Sequence, residues 1–172
     1  MKRAAGSFPT GVVVAAANTP TGPAGLTLQS FVSLSLDPPL IQLSVAKTSG
    51  SWQAIRDAGS FSLSILAANQ SAIALQFAQR NCDKFHGMLL KPAPVTGNPQ
   101  LAEAVAWFDC EIEAVYPGGG GETTTSLWAR SWTQELRLTS RSPGLPPITF
   151  HQTLHTHPPD TNRRLKRAGE SE

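Results

Sequence analysis

"GLTLQSFVSLSLDPPLIQLSVAKTSGSW", residues 25–52, decides how this chain is read. Its first half alternates apolar side chains with small hydrogen-bonding ones, Thr27, Gln29, Ser30, Ser33 and Ser35, and stops at Asp37, Pro38 and Pro39. A period of two marks a half-buried strand, because successive side chains of a strand point to opposite faces. Residues 25–36 therefore read as one such strand or two short ones, and residues 40–46 (LIQLSVA) as the next. Asp37 and the two prolines set the turn between them, since proline presets φ and has no N–H to offer a ladder.

The end of the stretch, VAKTSGSW, lies between that strand and a helix. Lys47, Thr48, Ser49, Gly50 and Ser51 gather hydroxyls, free backbone N–H groups and one ammonium, a combination that suits an anion such as phosphate. The same residues also read as a polar turn in which Ser51 or its neighbour caps the short helix WQAIRDA, closed by Gly59. The residues alone leave both readings open.

Outward from there, residues 11–18 (GVVVAAAN) form a continuous apolar run expected to be a buried strand, followed by a turn at residues 19–23. FSLSIL at 61–66 alternates as a strand. Residues 69–78 place Ile73 above Phe77 and Ala74 above Ala78, a helical spacing. A Pro/Gly-rich loop is expected at 92–99, and a long strand at 102–116 carrying Trp107 and Phe108 as core or dimer packing. Many strands with a few short helices imply a mostly β fold, either a barrel or an antiparallel α+β arrangement. One domain is expected over residues 1–152, with a disordered basic tail at 153–172 containing Arg163, Arg164, Lys166 and Arg167.

Composition narrows the function classes. The chain has 172 residues, 40% hydrophobic and 15% charged, as an ordinary globular domain does. It lacks the ~18–20 consecutive apolar residues of a membrane span and the apolar run of a secretion signal, so a cytoplasmic location away from membranes is expected. The net charge of +2 comes from the last ten residues, 163–172, and no aromatic interleaving accompanies it, which argues against nucleic acid. Cys82 and Cys110 lack metal-site or disulfide-framework spacing and read as buried or idle thiols. His151, His155 and His157 have no carboxylate or cysteine completing a ligand set, so no metal is expected. PGGGG at 117–121 lacks the spacing of a nucleotide loop and reads as a flexible turn. CDKFHG by itself offers a solvated Lys84 beside a core Phe85, with His86 in a structural role. No catalytic triad or carboxylate pair is apparent, and no catalytic residue is assigned.

Taken together, FPTGVVVAAA, GLTLQSFVSLSLDPPLIQLSVAKTSGSW, FSLSILAANQSAIALQFA, DKFHG and GNPQLAEAVAWFDCEIEAVYPGG resemble, in order and spacing, the flavin reductase family. These FMN-binding split barrels serve as reductase components of two-component monooxygenases. The resemblance implies a mostly β split barrel with a few short helices, and a homodimer that completes its flavin site across two subunits. It implies FMN, with FAD as the alternative, and NADH or NADPH as hydride donor to flavin N5. Thr27, Leu28, Gln29 and Ser30 match the family's T-x-N/S-S-F segment along the isoalloxazine ring, Gln29 replacing a shorter residue. Ser33 and Ser35 fall toward the ribityl chain or phosphate, Ser49 and Ser51 at the phosphate turn with Lys47 beside them, and Lys84 and Phe85 at the family's basic-aromatic pair. A flavin-dependent monooxygenase is the implied partner; a flavin-binding module without reductase activity is the alternative, as is, more remotely, a split barrel for pyridoxal phosphate or haem.

The resemblance breaks after residue 121. The family continues with a G-D-H-x-I-x-x-G-x-V strand, whereas this chain reads GGGGETTTSLWARSWTQEL, and no histidine lies between His86 and His151. Shifting the reading frame by two bases from within Glu122 permits Gly-Asp-His-Asp-Ile-Val-Val-Gly-x-Val-Val-Asp. Within it the glycine drawn from Trp128 and Ala129 and the aspartate drawn from Trp132 and Thr133 are obligatory. A frameshift is therefore expected, partly restored near PPITFHQ at 146–152. If the printed residues stand, GETTTS replaces an apolar strand, and Trp128 and Trp132 need new burial.

Overall fold

The computed structural model describes residues 10–80, 82–117 and 124–136. Strand β1 (Val13–Thr19) turns at Pro20 and Thr21 into β2 (Gly22–Leu28). Gly22 takes φ +112°, a conformation that side chains with a Cβ rarely adopt, and Thr19 Oγ1 donates to its carbonyl at 2.6 Å. Next come β3 (Val32–Leu36), β4 (Pro39–Ala46) and helix α1 (Gly50–Ala58). Then follow β5 (Ser60–Ile65), α2 (Ser71–Ala78), β6 (Leu90–Pro92), β7 (Pro99–Leu101), β8 (Ala106–Pro117) and β9 (Thr124–Leu136).

Seven strands form one antiparallel sheet in the order β2-β1-β5-β8-β9-β4-β3, and β6 pairs with β7 separately. The sheet curls, because strands far apart in that order share one interior. Ala15 and Ala17 of β1 meet Leu43 and Val45 of β4, Phe61 and Leu63 of β5, Cys110 of β8 and Ala129 of β9, and α1 plugs the interior with Trp52 and Ile55. Each fully buried aliphatic or aromatic side chain of this kind contributes about 1.5–3 kcal/mol. The outer face of β1 is covered as well: Val14 packs with Phe77 of α2 and with Leu101 and Trp107. Burial on both faces explains why β1 reads as an unbroken apolar run rather than an alternating one. The expected mostly β class is borne out.

Several expectations need correcting. The cap of α1 is Ser49, whose Oγ accepts from Trp52 N at 3.3 Å; Ser51 lies inside the first turn. Gly59 does close the helix, at φ +75°. Helix α2 starts at Ser71 rather than 69, and the long strand starts at Ala106, after a turn through 102–105. The 92–99 loop is framed by the short pair β6 and β7, with Pro92 opposite Pro99. Trp107 and Phe108 are core residues, and Trp107 Nε1 donates to Leu101 O at 2.6 Å. Residues 124–136 fill the sheet position between β8 and β4 as a strand, with Ala129 fully buried. The side chains of Trp128 and Trp132, the three late histidines and the basic tail lie outside the described residues.

Candidate functional site

The fold brings the end of β2, the turn before α1 and the end of α2 to one place. Together they enclose a cleft of about 410 Å³, within the ~300–1,000 Å³ of small-molecule sites. Leu26, Leu28, Val45 and Phe77 supply an apolar side, while Thr48, Ser49, Ser51, Arg80 and Lys84 supply a polar, cationic one. Leu26 and Val45 also belong to the interior, so that side of the cleft is the rim of the core and is held rigidly.

The polar side is built by specific bonds. Ser49 lines the cleft and caps α1, its Oγ accepting from Trp52 N at 3.3 Å, with Gly50 and Ser51 of the first turn lining the cleft beside it. Thr27 Oγ1 donates to Ala74 O at 2.6 Å and joins β2 to α2. Lys84 Nζ donates to Gly25 O at 2.9 Å and to Ser51 Oγ at 3.1 Å. Burial pushes the Lys84 ammonium below the usual lysine range, and the nearby Cys82 thiol opposes that in part. Gly25 must be glycine for space: a Cβ there would come within 2.6 Å of Phe77, which is fully buried.

Of the residues expected at the site, Thr27, Leu28, Ser49, Ser51 and Lys84 line this cleft. Gln29 is exposed beyond the end of β2, and Lys47 lies in the turn outside the cleft lining. Ser30 brackets Ser44, donating to its carbonyl at 2.8 Å and accepting its amide at 2.9 Å, so it pins the β2–β3 bend to β4. Ser33 and Ser35 lie on β3, the strand at the far end of the sheet order from β2. Phe85 packs edge-on against Phe77 with ring centroids 5.0 Å apart, behind the cleft rather than in it. Arg80 lines the cleft and was not anticipated; the signal was a cation directly after a helix, four residues before Lys84.

A curled antiparallel sheet carries here a cleft with one apolar side and one polar, cationic side, an arrangement that suits a small molecule with an apolar part and an anionic end. The model of the flavin reductase like domain family matches residues 5–128, and the chain belongs to that family. It is 40% identical over 114 residues to the flavin-dependent monooxygenase reductase subunit HsaB of Rhodococcus jostii, covering 66% of this chain and 58% of that one. Over 120 residues it is 38% identical to the stachydrine N-demethylase reductase subunit of Rhizobium meliloti, covering 69% of this chain and 52% of that one. The chain thus spans little more than half the length of these relatives. Among solved structures it resembles the NADH:FAD oxidoreductase of Streptomyces globisporus, with a TM-score of 0.71 and 33% identity, covering 78% of this chain and 80% of that one.

Proposed function

We propose that the chain is an NAD(P)H-dependent flavin reductase that supplies reduced FMN, or FAD, to a separate flavin-dependent monooxygenase. The observation that carries this reading is the shared cleft: the hydroxyl-bearing end of β2 and the turn before α1 open onto one space that also holds two cations. The residues fit such a cofactor. Leu26 and Leu28 offer an apolar surface for a ring, and Ser49, Ser51, Arg80 and Lys84 offer donors and positive charge for a phosphate. When bound, the flavin supplies a hydride acceptor at N5, so the protein needs no nucleophile or acid–base pair of its own. What the chain contributes is position and desolvation: the Thr27–Ala74 and Lys84–Gly25 bonds fix β2 against α2 and its following loop, and the core side chains behind Leu26 exclude water.

The names of the relatives support reductase work alongside an oxygenase component. A homodimer, NADH or NADPH as donor, and a domain spanning residues 1–152 belong to the same proposal. Among the described residues no helix is long and apolar enough to cross a membrane.

Mixing the purified protein with FMN and NADH tests the reading. Loss of the oxidised-flavin absorbance is the expected result, and a protein that binds no flavin sinks it. A second reading, a flavin-binding module without reductase activity, is favoured by one observation: the family match ends at residue 128, inside β9, where the Gly-Asp-His strand is missing. Bound but unreduced flavin would select it. Resequencing the DNA for residues 118–155 then decides whether the strand was lost by a frameshift; the absence of any frame encoding Gly-Asp-His removes that explanation.

A further inference from the structure

A second recess opens at the other end of α2. It measures about 300 Å³ and shares no lining residue with the cleft. Its wall is apolar, made by Ile73 in the first turn of α2, by Met88 and Leu89 just before β6, and by Leu101 of β7. Two residues with polar side chains complete it: Glu103, which is exposed, and Gln70, only 7% exposed. The Gln70 carboxamide is fixed in place, its Oε1 accepting from Ala67 N at 2.8 Å and its Nε2 donating to Glu103 O at 3.2 Å. Those bonds engage one lone pair of two and one N–H of two, so among the described residues half of the group's hydrogen-bonding capacity is unused. A buried amide in that state calls for a further polar partner, because burial without one costs free energy.

We propose that this recess is a second small-molecule site, and that its ligand is a single aromatic ring bearing one hydroxyl group. Each part of that description follows from the lining. The volume lies at the lower end of the ~300–1,000 Å³ of small-molecule sites, which suits one ring and is too small for a dinucleotide. Ile73, Leu101 and Met88 favour an apolar ring, and a thioether makes favourable contacts with aromatic edges. A hydroxyl both donates and accepts, so one atom of the ligand matches a carboxamide with a lone pair and an N–H to spare. A carboxylate in the same place would offer no donor and would meet the Glu103 charge. The site stands independently of the flavin reading, since the two spaces have separate linings.

Titrating phenol, benzene and benzoate into the purified protein by calorimetry tests it. Phenol is expected to saturate a single site at millimolar concentration or below, benzene to bind about tenfold more weakly for want of the hydroxyl bonds, and benzoate more weakly than phenol. Saturating FMN should leave phenol bound. Ile73→Trp fills the recess and should abolish the phenol signal with the circular dichroism of the fold retained. Leu89→Ser, at an exposed position, is the milder variant if tryptophan is not accommodated, and should weaken phenol about threefold by removing part of the apolar wall. No saturable phenol binding, equal affinity for phenol and benzene, or displacement of phenol by FMN each overturns the assignment; the first would mean that water alone meets the spare groups of Gln70.

Discussion

Asp109 on β8 and Arg130 on β9 are charged side chains on neighbouring strands, and their surroundings differ. Asp109 is fully buried, and its carboxylate accepts from Val95 N at 2.8 Å, Thr96 N at 3.1 Å and Thr96 Oγ1 at 2.6 Å. Those bonds organise the turn between β6 and β7. Asn98 then extends the network, donating to Thr96 Oγ1 and Ser60 Oγ and accepting from Asn18 N. Arg130 reaches Glu113 at 3.2 Å through one terminal nitrogen, while its Nε is buried with no partner among the described residues. Both members of that pair are substantially exposed, so the bridge contributes only about 0–1 kcal/mol. The contrast shows two kinds of completeness. β8 matches its environment in backbone and side chain; β9 matches in the ladder but carries a polar nitrogen its position does not satisfy.

Asp109→Asn should show the largest effect. The amide oxygen can replace Oδ2 as acceptor of the Val95 and Thr96 N–H groups, but those bonds lose their charge assistance, and the amide NH2 meets the Thr96 hydroxyl where Oδ1 accepted it. A destabilisation of about 1–3 kcal/mol is expected in urea unfolding, because a fully buried carboxylate loses its charge-assisted bonds while their donors, on the part-buried Val95–Thr96 turn, regain some water. A loss below ~1 kcal/mol would mean that the turn, not the carboxylate, holds β6 and β7 in place.

A smaller, pH-dependent effect belongs to Cys110, which pairs with Ser131 of β9. Burial, and secondarily the Asp109 charge, push its thiol well above the usual range. The sign follows from linkage. Below the ordinary thiol pKa both folded and unfolded chains hold the proton and nothing changes. Above it only the unfolded chain releases the proton, so stability falls as pH rises, by up to about 1.4 kcal/mol per pH unit. Cys110→Ala should therefore lose less stability than wild type between neutral and alkaline pH in paired thermal melts. Parallel losses would show that water reaches the thiol and that the β8–β9 contact is open there.

Much of this architecture was legible because single residues forced it. The apolar run of β1 could only be a strand covered on both faces, and Gly59 after an amphipathic turn could only end α1. What escaped depended on partners distant in sequence. Pro92 and Pro99 read as loop because proline cannot donate to a ladder, yet opposite one another at the end of a pairing three residues deep they leave no N–H unsatisfied. Ser49 and Ser51 are equivalent as caps by composition; the β4 exit chooses Ser49, whose N–H bonds back to Ala46 O at 3.0 Å. Ser30 and Ser33 look alike in the alternating stretch, but only Ser30 meets the backbone of Ser44. Arg80 was invisible because a cation after a helix is ordinarily solvated, and only the fold shows that it shares a cleft with Ser49.

Arg130→Met probes the other side of the contrast with the smallest expected change. Methionine keeps the aliphatic stem that an arginine packs along a sheet, and removes both the bridge to Glu113 and the buried Nε. The bridge contributes at most about 1 kcal/mol, whereas an unsatisfied buried donor costs about 1–3 kcal/mol, so the two nearly cancel and the balance favours the variant. Unfolding in urea should show a change between zero and about 1 kcal/mol of added stability. Pairing it with Glu113→Gln isolates the bridge, since a coupling energy near zero in that double-mutant cycle leaves the Nε desolvation as the difference. A variant that instead loses more than about 1 kcal/mol would place Arg130 among the fully seated residues and make β9 as well matched to the sheet as β8.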